Sequence, residues 1–186
     1  MKSKTMFRLI GWAMLAACCL APAQDSATAE DEPTPQTTAK EKKVPKGLKP
    51  VAKAIAEMDS FNAEPNYKAK YYIYLESASW CGPCKAEMPH IVKAYPEMKK
   101  KKVEILLVGA DRSPEAAEKY LKSFNAEFPG VWGGDELVKN LPGYKRASYV
   151  PHAVFVDEKG NVIEDGNGGL VKNWEAILFK KKKKKK

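Results

Sequence analysis

Apolar residues recur along this 186-residue chain in two rhythms, and between residues 44 and 179 they mark out alternating helices and strands. Over Lys49–Phe61, Val51, Ile55 and Met58 fall at helical spacing while Lys53 and Glu57 occupy other faces, which predicts an amphipathic helix. Tyr71–Leu75 is a run of aromatic and branched residues, the composition of a buried strand. After a loop over Glu76–Ser79, a helix is predicted from about Cys81 towards Met98, bent by Pro89. Val103–Val108 reads as a second apolar strand. Ser113-Pro114-Glu115 makes a helix start for the segment ending near Phe124, and Asp135–Asn140 a short helix. Ala153–Val156 and Asn161–Glu164 flank Asp157-Glu158-Lys159-Gly160, the pattern of an antiparallel hairpin, and Leu170–Phe179 closes the region as a helix. The order predicts an α/β fold, a mixed central β-sheet flanked by helices. No internal repeat points to a solenoid.

The flanks lack these rhythms. Basic Met1–Arg8, apolar Leu9–Ala17 and the small residues that follow read as a secretory signal. The apolar stretch Leu9–Leu20 is too short for a bilayer span, which needs roughly 20 apolar residues. Two cleavage sites compete. Leu15-Ala16-Ala17-Cys18 resembles a lipobox, in which Cys18 would be lipidated, whereas Ala21-Pro22-Ala23 fits an A-x-A site that places the leader over residues 1–23. Residues 24–43 are small, polar and charged, too poor in apolar surface to offset ordering entropy, and read as a disordered tether. The run Lys180–Lys186 repels itself; it reads as a solvated tail or as weak adhesion to anionic lipid. The expected location is therefore the cell envelope or periplasm, with a lipid anchor if Cys18 is acylated.

Composition permits a real core, at 44% hydrophobic and 10% aromatic residues. A formal charge of +9 suggests a nucleic-acid partner, and its distribution removes that reading. Of the 32 Lys and Arg, three lie in the leader and seven in the terminal run, which leaves 22 against 23 Asp and Glu in the remainder. A near-neutral domain cannot neutralise many phosphates.

The chemistry concentrates at Trp80-Cys81-Gly82-Pro83-Cys84. A strand would deliver Cys81 to a helix start, where unpaired backbone N–H groups and the helix dipole stabilise a thiolate, the attacking species. Cys84, one turn further in, could then attack a mixed disulfide at Cys81 and release the product. Two other readings stand beside this one. A zinc site would need a second ligand pair, and only His90 and His152 are at hand. A structural disulfide closing so small a loop would constrain the unfolded chain very little.

From about Tyr71 to Phe179, and above all in WCGPCK at Trp80–Lys85, the chain resembles the thioredoxin superfamily. It looks most like the extracytoplasmic, membrane-tethered TlpA/ResA branch, for three reasons. The leader and tether come first, Cys84–Pro89 resembles the branch's CKxExP run, and Ala110–Tyr149 is long enough for its helical insertion. The resemblance implies roles. Cys81 would be the nucleophile and Cys84 the resolving thiol of a Cys81–Cys84 redox disulfide. Pro151 would be a cis-proline beside it, Val150 would offer backbone groups to an extended substrate, and Trp80 would cover the site. Glu87, one turn beyond Cys84, would exchange a proton with it from a partly buried position. Cytosolic thioredoxin carries a buried Asp six residues before its first Cys; here that position is Leu75, with Glu76 beside it on the opposite side of the strand. His152 could tune the thiolate or help hold a metal, and His90 is a weaker candidate.

Gly82-Pro83 is the dipeptide of thioredoxin, at roughly −270 mV, rather than of the oxidant DsbA, at about −120 mV, so the resemblance implies a reductant. Its partners would be oxidised envelope proteins such as apocytochromes awaiting haem, and a membrane thiol carrier as electron donor. No cofactor, metal or nucleic acid is expected, and the chain is expected to be monomeric. The alternatives are a disulfide oxidase or isomerase of secreted proteins and, in a different class, a copper-binding protein using Cys81, Cys84 and His152.

Overall fold

The computed structural model describes residues 44–179; the leader with Cys18, the tether over 24–43 and the lysine tail lie outside the described residues. A six-stranded mixed sheet forms the centre, built in spatial order from β1 (Ser60–Phe61), β4 (Gly130–Trp132), β3 (Val103–Gly109), β2 (Tyr71–Ser77), β5 (His152–Asp157) and β6 (Val162–Asn167). Its middle strands are β2, β3 and β5, with β3 parallel and β5 antiparallel to β2. All three are buried on both faces and mostly apolar, with Glu76, Ser77, Glu104 and His152 as buried polar exceptions.

Side-chain alternation along β2 divides the core. Ile73 and Leu75 face α2 (Gly82–Lys100), α3 (Pro114–Ser123) and α4 (Trp174–Phe179), where Met88, Ile91, Tyr95 and Met98 form the buried stripe of α2. Tyr72 and Tyr74 face the other way, onto Val51 and Ile55 of α1 (Pro50–Glu57), its C-cap Met58, and Val138 and Tyr144. Fully burying each Leu or Ile contributes about 1.5–3 kcal/mol. No described helix is long and apolar enough to cross a membrane.

Local chemistry sets the boundaries. Ser113 caps α3 by accepting the Ala116 N–H at 3.3 Å, with Pro114 in the first turn. Cys81 caps α2 rather than lying in it, and Pro96 joins Pro89 inside that helix. The predicted first helix is too long: α1 stops at Glu57, and Ser60–Phe61 instead form β1, antiparallel to β4 (Gly130–Trp132). Asn62, in the left-handed region at φ 72°, anchors this turn by donating its side-chain amide to the Ala126 and Phe128 carbonyls at 2.7 and 2.9 Å. Gly130 permits the approach, since a Cβ there would lie 2.3 Å from the Phe61 ring.

Three further expectations are corrected. Glu76 and Ser77 belong to β2, not to a loop. The segment expected to hold a helical insertion contains α3, the unforeseen strand β4 and one 3-10 turn over Glu136–Asn140. The closing helix is split, with a 3-10 stretch over Gly168–Asn173 ahead of the six residues of α4. The hairpin forms as its pattern indicates, and β6 runs on over Val162–Asn167.

Candidate active site

Strand β2 ends at Ser77, and four residues later Cys81 caps the start of α2. The chain between is stitched to the end of β3: the Ala110 N–H donates to the Ser77 carbonyl at 2.9 Å. Ser79 donates its hydroxyl to Asp111 Oδ1 at 2.6 Å and its N–H to the same oxygen at 3.1 Å. The Trp80 and Trp132 indoles donate to the successive carbonyls of Ala110 and Asp111, at 3.3 and 2.9 Å. Trp80 is therefore an exposed, tethered rim residue at 65% exposure, not a core aromatic.

Cys81 and Cys84 are joined as a disulfide, with Cα atoms 5.2 Å apart. The Cys84 N–H donates to Cys81 Sγ at 3.2 Å, one of the unpaired donors at the head of α2 aimed at the sulfur. Both cysteines are buried, Cys81 at 5% exposure slightly less completely than Cys84 at 1%. The Val150–Pro151 peptide is cis, and the Val150 carbonyl lies 3.7 Å from Cys81 Sγ. No other backbone group among the described residues engages Val150. Behind it, Gly168 donates its N–H to the Pro151 carbonyl at 3.0 Å, and a Cβ on Gly168 would sit 2.6 Å from Pro151 Cβ.

Glu87 is half-buried on α2 and paired with Lys172, whose Nζ lies 2.9 Å from Oε2 and 3.0 Å from Oε1. Its carboxylate thus has a fixed cation beside it that helical spacing alone did not indicate. His90 is exposed on α2, apart from the cysteines' enclosed side. His152 is buried, its Nε2 2.7 Å from Asp165 Oδ1 and its Nδ1 3.5 Å from Glu76 Oε2, with the Tyr149 ring edge-on at 5.4 Å. No cluster of three or more His, Cys, Asp or Glu suited to a metal occurs among the described residues.

Glu76 and Asp111 escaped the sequence reading as site residues. Glu76, 4% exposed in the middle of the sheet, accepts the Tyr144 hydroxyl and, at 2.9 Å, the Ala147 N–H. Burial, and then the Glu76 carboxylate, push the Tyr144 pKa well up, so the phenol stays protonated and donates. An acid in an otherwise apolar strand was the available signal; its partners lie about 70 residues downstream. Beside the disulfide these residues border a cleft of about 310 Å³, walled by Trp80, Trp132, Tyr149, Val150 and Arg146.

The arrangement provides one sulfur at a helix start, a second sulfur behind it and a backbone carbonyl alongside. Known proteins resemble this chain in sequence and in fold. The ResA thiol-disulfide oxidoreductase of Bacillus thuringiensis subsp. konkukian is 31% identical over 104 residues, 55% of this chain and 58% of that protein. That of Oceanobacillus iheyensis is 34% identical over 93 residues, 50% and 47% of the two chains. This chain thus spans about half the length of the curated relatives it matches. The fold is that of a thiol:disulfide interchange protein from a Bacteroides species, with a TM-score of 0.51 at 20% identity over 68% of this chain and 90% of that one. A family model described as thioredoxin-like matches residues 69–162, half of the sequence, and the chain belongs to the thioredoxin-like family.

Proposed function

We propose that the protein is an exported thiol–disulfide oxidoreductase that reduces disulfides in cell-envelope proteins. The observation that carries this reading is Cys81 at the head of α2, with the Cys84 N–H on its sulfur and Cys84 within disulfide reach. The kinship with proteins named thiol-disulfide oxidoreductase supports it.

In the reduced protein the Cys81 thiolate attacks one sulfur of a client disulfide; a Cys81–client S–S bond forms and the client's other sulfur leaves as thiolate. Cys84, deprotonated, then attacks Cys81 Sγ, forming the Cys81–Cys84 bond and expelling the second client thiolate. Two electrons pass to the client, and its thiolates take up two protons. Glu87, three residues beyond Cys84, is the carboxylate we assign to accept the Cys84 proton, with Lys172 Nζ 2.9 Å from its Oε2 holding the side chain in place. Val150 offers its carbonyl and N–H to an extended client strand, with Pro151 behind it and Trp80 covering the far side. A membrane dithiol carrier returns the electrons. The leader would export the chain, and acylation of Cys18 would hold it at the membrane.

Reduction of insulin by the purified chain, followed as turbidity, tests the reading. Cys81→Ser should abolish it, and Cys84→Ser should accumulate mixed disulfides with clients. Full activity in Cys81→Ser refutes the exchange mechanism. The equilibrium potential of the pair decides direction: about −250 mV or below fits a reductant, and about −120 to −180 mV moves the function to oxidation or isomerisation.

A further inference from the structure

The cysteines reach the site on one part of the chain and the client-binding backbone reaches it on another. Cys81 follows β2 directly, whereas Val150 ends the segment 144–150 that leads into β5. Within β2 one side chain joins the two. Glu76 stands opposite His152 in the β2–β5 register, five residues before Cys81, and both its oxygens are committed to the other segment: Tyr144 O–H and Ala147 N–H donate to it. The same carboxylate lies 3.5 Å from Nδ1 of His152, a buried nitrogen with no hydrogen-bond partner, whose ring carries Tyr149 on its edge. Glu76 makes no hydrogen bond to either cysteine. Placing a carboxylate at 4% exposure in an apolar strand costs several kcal/mol unless donors compensate it, so the site retains it against a steep desolvation cost.

We propose that Glu76 is a positioning residue, whose carboxylate pins residues 144–147 to β2 and thereby sets the Val150 backbone against Cys81 for an incoming polypeptide. This rests on the oxidoreductase reading above and deepens it. A client that pairs with the Val150 backbone feels the clamp; a small disulfide with no backbone to pair does not. Tyr144 and Ala147 are the clamp's other half, and Arg146 and Tyr149 on the same segment carry the cleft wall with them.

The test compares insulin with hydroxyethyl disulfide as oxidants of the reduced full chain, in wild type, Glu76→Ala, Glu76→Gln and Tyr144→Phe. Glu76→Ala should raise the KM for insulin about tenfold, the loss of about one hydrogen bond to a charged group, with its kcat and the hydroxyethyl disulfide rate near wild type. Glu76→Gln keeps an acceptor for the Ala147 N–H and a donor for the Tyr144 oxygen, and should restore most of the insulin KM. Tyr144→Phe, which leaves the Ala147 bond intact, should fall between and serves if Glu76→Ala does not fold. Hydrogen exchange at the Ala147 amide should quicken about tenfold in Glu76→Ala and little in Tyr144→Phe. An unchanged insulin KM in the variants of an active wild type overturns the positioning role alone, as does an equal loss with both oxidants. A wild type that reduces neither overturns the oxidoreductase reading and this inference together.

Discussion

Replacing Glu104 isolates an energetic element that the redox chemistry does not use. Glu104 lies on β3 at 1% exposure, and its carboxylate accepts three donors: Tyr95 O–H at 2.7 Å, Asn66 N–H at 2.9 Å and Ile105 N–H at 3.0 Å. The third bond has a clear origin. Leu107 donates its N–H towards Pro129, ahead of β4, so the Ile105 N–H two residues earlier points the same way, past the end of that short strand. The carboxylate ends the ladder in place of the missing backbone. Glu104→Ala strands two backbone N–H groups, while the Tyr95 hydroxyl can turn elsewhere. At about 1–3 kcal/mol for each unsatisfied buried donor, partly offset by no longer burying a charge, the loss is about 2–4 kcal/mol. Urea unfolding of the oxidised protein, followed by Trp fluorescence, measures it. Burial raises the Glu104 pKa above its ordinary 4.5, against the lowering by its three donors. A group whose folded pKa is raised contributes stability that is complete below the unfolded pKa and is lost as pH rises through the folded value. The stability of wild type relative to Glu104→Gln should therefore be greatest near pH 4 and decline towards pH 7. A difference that is flat, or that grows with pH, refutes the assignment of burial as the dominant cause, and a Glu104→Ala loss below about 1 kcal/mol refutes the ladder-ending role.

Other outcomes follow from the same coordinates. Asn62→Ala should cost about 1–3 kcal/mol through two lost hydrogen bonds and a positive φ, read as a lower urea midpoint with an unchanged m value. Gly168→Ala drives a methyl into Pro151 and should slow insulin reduction more than it lowers the melting temperature. Iodoacetamide should label Cys81 of the reduced protein well before Cys84, as mass mapping would show; equal labelling would contradict their difference in access.

What the sequence made legible was local. The apolar runs at Tyr71 and Val103 announced the two parallel strands, since strands buried on both faces need no partner to be recognised. Trp80–Lys85 marked the candidate site, because the Cys-Gly-Pro-Cys turn is contiguous, whereas Pro151 was placed beside it by the family resemblance alone. Strands β1 and β4 were not legible: two and three residues long, they exist because Asn62 and Gly130 bring distant segments together. Glu76 was visible as an acid in an apolar run, yet its meaning depends on Tyr144 and Ala147, which only the tertiary fold supplies. Glu87 was singled out by the family resemblance of Cys84–Pro89, while its cation, Lys172, comes from the far end of the domain.

The stitching of residues 77–80 to the end of β3 apportions motion within the site. Ser77, Ser79 and Trp80 are all fastened to Ala110 and Asp111, and none of those bonds involves a sulfur or α2. Breaking or making the Cys81–Cys84 bond displaces sulfurs whose upstream chain is thus bolted to a neighbouring parallel strand. Adjustment to each change of oxidation state then falls on the first turn of α2, where exposed Gly82 and Pro83 have few neighbours to carry along. On the proposed function, the indole rim and the Val150 backbone present one unchanging face to successive clients, while the change of oxidation state is accommodated within four residues.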